Sequence, residues 1–103
     1  MEINIRLATI ADSESLAPLL HSYIHCSVSK RQEIGIAECQ DWIQSRLEHG
    51  DGVYFVALAA SNIIGFAALF SIYDSIALVR QWALNDLFVM AEHRSKGIGR
   101  KLL

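Results

Sequence analysis

The sequence predicts a mixed α/β domain in which helices pack on a mostly antiparallel sheet. Near the N-terminus, Ile3, Ile5 and Leu7 alternate with polar residues, which is typical of a strand covered on one face. Two segments with apolar residues at helical spacing follow, and then three apolar strands and the start of another helix. This order of elements within 103 residues indicates one mixed domain.

The first helix is predicted to follow residues 9–12, where Thr9 and Asp12 have the spacing of a capping box. Pro18 predicts a kink or a delayed start, because proline removes one helical donor. The apolar stripe of this helix comprises Leu16, Leu19, Leu20 and Tyr23. We interpret residues 25–35 as a loop, because they are polar and show no period.

The second helix is also amphipathic, and it should end at the glycines of Gly50-Asp51-Gly52. Its apolar stripe comprises Cys39, Trp42, Ile43 and Leu47. We expect Trp42 to be a core residue on this stripe. The two cysteines of the chain, Cys26 and Cys39, are expected to be inert free thiols.

Three strands are predicted after the second helix. Residues 53–60 are almost continuously apolar, as in a strand covered on both faces, and a turn is expected at Ser61-Asn62. In the next strand, residues 63–73, Gly65 indicates a bulge or a close backbone approach. The last strand spans residues 79–90.

Side chains alternate between the two faces of a strand, so the last strand divides into two sets. We expect one face to carry Leu84, Asp86 and Phe88, and the other to carry Asn85, Leu87 and Val89. Aspartate is uncommon in strands, so Asp86 is either a structural carboxylate or a group that binds a cationic amine. Asn85 is a candidate for a bulge.

Composition excludes several classes of function. The net charge of −2 gives no basic field for nucleic acid. The cysteines show no metal-ligand spacing, so we expect no metal. Neither a signal peptide nor an apolar run long enough for a bilayer is present, and we expect no membrane association and a cytoplasmic location.

Residues 84–103 carry the chemistry: a strand, a polar loop, a glycine turn and a helix start. Glycines allow close backbone approach, and helix N-termini present free amides, so this segment suits a pyrophosphate. The P-loop motif is absent. Leu102 stands where the dinucleotide fingerprint needs its third glycine. The pattern that does fit is Arg94-Ser95-Lys96-Gly97-Ile98-Gly99.

This Arg-x-x-Gly-x-Gly turn, after the strand Leu-Asn-Asp-Leu-Phe-Val, resembles the acetyl-CoA signature of the GNAT N-acetyltransferase superfamily. The resemblance extends over the whole chain. It implies a GNAT-type fold of order β-α-α-β-β-β followed by a helix, with acetyl-CoA as co-substrate and a small-molecule amine as acceptor.

The resemblance also implies roles for particular residues. Backbone groups of the fourth strand would pair with the pantetheine arm of CoA: Leu87, Phe88 and Val89. An amide near Val89 would polarise the thioester carbonyl. The pyrophosphate would be held by the turn and helix start: Arg94, Ser95, Lys96, Gly97, Ile98, Gly99 and Arg100.

Within the superfamily, Gly65-Phe66, Tyr73-Asp74 and residues 86–90 look most like the diamine (spermidine/spermine-type) acetyltransferases. That branch has a glutamate base where this chain has Asn85, and it is similar at Asp86; we assign both Asn85 and Asp86 to substrate binding. The family's usual general acid, a tyrosine, would lie beyond Leu103. The catalytic residues are therefore unassigned, and we expect this chain alone to acetylate amines poorly.

Two further expectations concern the extent of the chain. One turn of helix after a glycine turn seldom stands alone, so we interpret residues 1–103 as a single GNAT domain truncated on its C-terminal side. An open sheet edge would then favour a homodimer or other self-association. The alternatives to an enzyme are a non-catalytic acyl-CoA-binding module and an assembly fragment.

Overall fold

The four strands that the structure describes form one antiparallel sheet with helices on both of its faces. The computed structural model describes residues 2–26 and 34–103, and the strands lie in chain order across the sheet. They are β1 (Ile3–Leu7), β2 (Gly52–Ala59), β3 (Asn62–Asp74) and β4 (Val79–Val89). The helices are α1 (Ser13–Cys26), α2 (Ile36–His49) and α3 (Ile98–Leu102). The predicted class and the predicted order of elements are confirmed.

The ends of β2, β3 and β4 differ from the predicted ends by one residue at several places, and two differences between prediction and structure have a visible cause. α1 continues through His25 and Cys26, where the His25 ring nitrogen Nδ1 donates to the His21 carbonyl at 2.8 Å. The β2–β3 turn comes one residue early, because Ala59 pairs with Asn62 and Ala60 adopts a left-handed φ of 57°. The predicted loop over 25–35 includes residues 27–33, which lie outside the described residues.

The start of α1 is tied to β1 through one carboxylate. Asp12 accepts a hydrogen bond from the Thr9 amide at 2.7 Å, as the capping-box spacing predicts. Arg6 donates two more hydrogen bonds to Asp12, at 2.8 and 3.0 Å. These two bonds are the main reason that the pKa of Asp12 is lowered to about 2. α-Helical geometry begins only at Ser13, after a 3-10 turn over Ile10–Asp12, and Pro18 lies in its second turn.

The sheet separates two apolar clusters. The larger lies under α1 and α2, where the two helices cover alternate side chains of β2, β3 and β4. Its buried members include Leu16, Leu20, Ile43, Tyr54, Val56, Phe66 and Phe88. The smaller cluster lies on the opposite face under α3 and includes Ala57, Ile64, Ala67, Ile98 and Leu102. β2 is therefore covered on both faces, as its apolar run predicts.

Two register shifts interrupt the sheet. One lies in β3 beside Gly65, at the bulge or close approach that the sequence predicts. The other lies in β4, where Asp86 pairs with Ala68 and Leu84 with Leu69, so that Asn85 is the extra residue. The extra residue moves Leu84 to the α3 face, with Leu87 and Val89. The prediction that Leu84 shares a face with Asp86 is therefore wrong.

Gly65 allows β3 and β4 to approach each other closely. A Cβ atom at this position would lie 2.9 Å from the Phe88 carbonyl oxygen. Gly65→Ala should therefore lower the free energy of unfolding by about 1–3 kcal/mol, the usual range for overpacking a core. Urea denaturation measures this change. Gly99→Ala is the control, since its Cβ would meet nothing closer than Leu87 Cδ2 at 3.8 Å. Equal stability of the two variants would contradict the prediction.

Candidate functional site

The segment that follows β4 makes a tight turn with unusual backbone angles. A 3-10 turn over Ala91–His93 leads to Ser95, whose φ is 66°, and then to Gly97, whose φ is 76°. Glycine adopts the left-handed region readily, but serine does so only at a conformational cost. Within the described ranges, no backbone carbonyl accepts a hydrogen bond from the amides of Ser95, Lys96 or Gly97.

The first turn of α3 adds further amide donors. The amides of Ile98, Gly99 and Arg100 have no partner within the helix, because no turn precedes them. The side chains of Lys96, Arg100 and Lys101 are exposed around this turn. The Ile98 side chain is buried in the smaller apolar cluster and is only 2% exposed. Only the backbone amide of Ile98 is therefore available to a ligand at the turn.

Arg94 links this turn to the end of β4. Its Nε donates to the Val89 carbonyl at 2.7 Å, and its guanidinium carbon lies 5.4 Å from the centre of the Phe88 ring. The sequence predicts Arg94 as a cofactor residue. In the structure its immediate contacts are with β4, so it fixes the position of the turn relative to the strand.

The outer edge of β4 presents backbone groups that pair with no described strand, and of these the Val89 carbonyl bonds Arg94. β4 pairs only with β3 among the described residues. The Met90 amide donates to the Ile64 carbonyl at 2.8 Å, and backbone groups alternate in direction along a strand. Phe88 therefore points its backbone toward β3, whereas Leu87 and Val89 point theirs outward. Of the three predicted strand residues, only these two can offer backbone hydrogen bonds to a neighbour.

A groove of about 270 Å³ runs beside this edge, and we call it the β4 groove. It is lined by Tyr23, Cys26, Leu87, Phe88, Val89 and Arg94. The groove brings together the predicted strand residues and the arginine of the glycine turn. It is also bounded by α1, which the sequence does not connect with this site.

A larger cavity of about 410 Å³ lies between α1, α2 and β4, and we call it the acidic cavity. Its lining is Leu20, Tyr23, Ile24, Ile34, Glu38, Cys39, Trp42 and Asp86. Asp86 accepts a hydrogen bond from the Asn85 side-chain amide at 3.1 Å. The two residues predicted for substrate binding are therefore in contact, but only Asp86 lines the cavity.

Two tyrosines on this side of the sheet are held in the protonated form. Burial, and after it the nearby Asp86 carboxylate, raises the pKa of Tyr23. The same two causes, in the same order, raise the pKa of the fully buried Tyr54 more strongly. Both side chains are neutral phenols at physiological pH, so neither can act as a general base there.

Sequence reasoning missed three residues of the acidic cavity: Tyr23, Glu38 and Trp42. Trp42 is 49% exposed, so the expectation that it is a core residue is wrong. Its ring contacts the edge of Phe70, and the Arg46 guanidinium stacks on it at 4.7 Å. Tyr23 and Trp42 both belong to apolar helical stripes, and a stripe alone does not distinguish a core position from a cavity wall.

Two exposed aromatic side chains lie outside the candidate site, and the described residues contain neither a cluster of metal ligands nor a helix that could span a membrane. Tyr73 and Trp82 lie exposed on the β3–β4 hairpin and line neither the β4 groove nor the acidic cavity. No group of three or more metal-ligating side chains occurs in this part of the chain. None of the helices described has the length and apolar character that a bilayer span requires.

Known proteins resemble this chain over nearly its full length. An uncharacterized N-acetyltransferase, YhfO of Bacillus subtilis, is 34% identical over 101 residues, which are 98% of this chain and 66% of the relative. The chain therefore spans slightly less than two thirds of that relative's length.

Two solved structures share the fold at low sequence identity. A possible acetyltransferase from Clostridium difficile superposes with a TM-score of 0.84 at 18% identity, covering 99% of this chain and 66% of that one. A predicted acetyltransferase from Clostridium acetobutylicum, solved with acetyl-CoA, gives 0.77 at 19% identity, covering 98% and 68%.

The family model described as "Acetyltransferase (GNAT) family" matches residues 16–103. The match includes most of α1 and all of α2, β2, β3, β4 and the glycine turn. It thus covers the β4 groove, the acidic cavity and the free amides described above. Together with the Bacillus relative, it shows that this chain belongs to the GNAT acetyltransferase family.

Proposed function

We propose that the protein transfers an acetyl group from acetyl-CoA to an amine. The observation that carries the proposal is the outward edge of β4, which leads directly into a turn with free amides and exposed positive side chains. An extended arm ending in a pyrophosphate matches this order of groups. The family membership of the chain and the acetyl-CoA in the Clostridium acetobutylicum structure support the same ligand.

The cofactor would lie along β4 with its phosphates at the turn. The pantetheine arm would bond to the outward backbone of Leu87 and Val89, like an added strand. The pyrophosphate would accept hydrogen bonds from the amides of residues 95–100, with Lys96 and Arg100 adding positive charge. Arg94 would keep the turn at the correct distance from the strand, because it already bonds the Val89 carbonyl.

The acceptor would enter through the acidic cavity and meet the thioester at β4. Its neutral nitrogen attacks the thioester carbonyl carbon, and the Val89 amide stabilises the charge that develops on the oxygen. The new C–N bond forms, the C–S bond breaks, and the sulfur leaves as CoA after taking up one proton. The proton lost by the nitrogen passes to Asp86 or to water.

The acceptor that we propose first is a small polyamine, as in the diamine acetyltransferases that the sequence resembles. The acidic cavity supports this choice, because it combines two carboxylates, Asp86 and Glu38, with the aromatic rings of Tyr23 and Trp42. Carboxylates and aromatic faces both attract organic cations. Asn85 has no basic group, so a polyamine acetyltransferase of this kind would work without the glutamate of that branch.

We also propose a cytoplasmic protein that associates with a second copy of itself. Both cysteines are free thiols, which suits a reducing compartment. The β3–β4 hairpin exposes apolar side chains beside an open strand edge: Tyr73, Ile76, Leu78, Val79 and Trp82. Open edges and apolar patches of this kind favour pairing with another chain.

The phosphate site can be tested with a pair of variants of nearly equal size. Gly97→Asp places a negative charge beside the proposed pyrophosphate, and it should weaken CoA binding about tenfold to a hundredfold. Gly97→Asn is the control, because asparagine is the non-glycine residue that best tolerates the positive φ of this position. Isothermal titration with CoA measures both. Equal affinities of the Asp and Asn variants would refute the assignment.

The acceptor can be identified by single-turnover acetylation, with the protein in excess over acetyl-CoA and products detected by mass spectrometry. The acceptors are spermidine, an aminoglycoside and a peptide with a free N-terminus. We expect spermidine to react fastest. Acetyl-CoA binding without any acetylated product would instead indicate a non-catalytic acyl-CoA-binding module.

Asp86→Ala should raise KM for the best acceptor about tenfold to a hundredfold, as expected for the loss of a hydrogen-bonded charge, and lower kcat less. The control is Asp41→Ala, which removes the same charge from an exposed position on α2 that lines neither cavity. An unchanged KM with a collapsed kcat would make Asp86 the general base.

Self-association can be measured by sedimentation velocity over a range of concentrations. The wild type should form a dimer or larger species, and Trp82→Lys should shift it toward the monomer by placing a charge on the exposed hairpin. Gln81→Lys, at the neighbouring exposed position, controls for the added charge. A wild type that stays monomeric at high concentration would exclude the proposed interface.

A further inference from the structure

One side chain belongs to both cavities of the site. Tyr23 lines the acidic cavity together with Asp86, and it lines the β4 groove together with Leu87 and Val89. No other described residue appears in both linings. A nitrogen that leaves the acidic cavity for a thioester in the β4 groove must therefore pass the Tyr23 side chain.

The position of Tyr23 is fixed by packing. Its ring meets the rings of Phe66 and Phe88 edge to face, each with centroids 6.0 Å apart. Aromatic pairs favour this arrangement, and Phe66 and Phe88 are themselves buried on adjacent strands. The ring thus has little freedom, while the residue as a whole is only half-buried.

Tyr23 and Asp86 line the acidic cavity together. The carboxylate is near enough to raise the pKa of Tyr23 in addition to the effect of burial. A neutral phenol can donate its proton to a nearby carboxylate, and its oxygen then keeps two lone pairs. That oxygen can accept one hydrogen bond from an N–H group of an incoming amine.

We propose that Tyr23 positions the acceptor amine: its hydroxyl donates to Asp86 and accepts from the amine, holding the nitrogen where the acidic cavity meets the β4 groove. This inference rests on the proposed acetyltransferase function. It assigns no proton transfer to Tyr23. The residue contributes by restricting the nitrogen to one place and one orientation. Such positioning accounts for a large part of the rate acceleration when two reactants are bound together.

Tyr54 is the other candidate on this side of the sheet, and the geometry disfavours it. Its side chain is fully buried and lines neither cavity. Its hydroxyl has no hydrogen-bond partner of normal geometry among the described residues. An amine in the acidic cavity would reach Tyr23 and Asp86 without displacing any core residue, but it could reach Tyr54 only by opening the core.

The test is Tyr23→Phe, which keeps the ring contacts with Phe66 and Phe88 and removes only the hydroxyl. With the best acceptor of the panel above, KM should rise about threefold to tenfold, as expected for a lost hydrogen bond between neutral groups, and kcat should fall less. The dissociation constant of acetyl-CoA and the melting temperature should stay at their wild-type values. Tyr73→Phe, on the exposed hairpin, is the matched control.

A second measurement needs no turnover. In a pH titration followed by NMR of labelled tyrosines, Asp86→Asn should lower the pKa of Tyr23, because the raising effect of the carboxylate is lost while burial remains. Asp41→Asn should leave that pKa unchanged.

Three outcomes would overturn the inference. An unchanged KM in Tyr23→Phe shows that the hydroxyl does not contact the acceptor, even though the protein is an acetyltransferase. An unchanged pKa of Tyr23 in Asp86→Asn shows that the two groups do not interact. A wild type that acetylates none of the acceptors removes the proposed function and this inference with it.

Discussion

One extra residue in β4 determines the arrangement of the whole site. Asn85 has no partner on β3, so the regular alternation of faces is interrupted at this residue. Leu84 and Asp86, which would share a face in a regular strand, therefore lie on opposite faces of the sheet. The bulge directs Asp86 and Phe88 toward α1 and α2, and it directs Leu87 and Val89 toward α3. Without it, the carboxylate would lie on the far face of the sheet, away from the acidic cavity.

The strand and the turn that follows it are held together by contacts on both sides of β4. On the inner side, Gly65 lets the β3 backbone approach the Phe88 carbonyl, which leaves no room for a side chain. On the outer side, the Arg94 guanidinium bonds the Val89 carbonyl. These contacts place the free amides of residues 95–100 at a fixed distance from the outward groups of Leu87 and Val89. A ligand that spans both would bind to a preformed surface, which lowers the entropic cost of binding.

The chemistry of the acidic cavity depends on the same packing. Tyr23 is held by two phenylalanines from adjacent strands, and it lines the acidic cavity together with a carboxylate that only the bulge brings to this face. Neither group is unusual by itself. Together with Trp42 and Glu38 from α2, they form a concave surface that combines negative charge with aromatic rings, and this combination favours an organic cation over a neutral or anionic ligand.

The sequence alone determined the mixed α/β class, the order of the elements, the glycine turn and the family resemblance, because these depend on local periodicity and on residues adjacent in the chain. It also identified Gly65 and Asn85 as places where the sheet is irregular. Only the tertiary structure decided the face on which Leu84 lies, the exposure of Trp42 and the contact of Arg94 with β4. It also decided that Tyr23 joins two cavities. These features depend on strand register and on the packing of α1 and α2 against β4, which brings together residues more than 40 positions apart in the chain. The period of a single segment contains no information about such contacts, so the sequence pattern could not predict them.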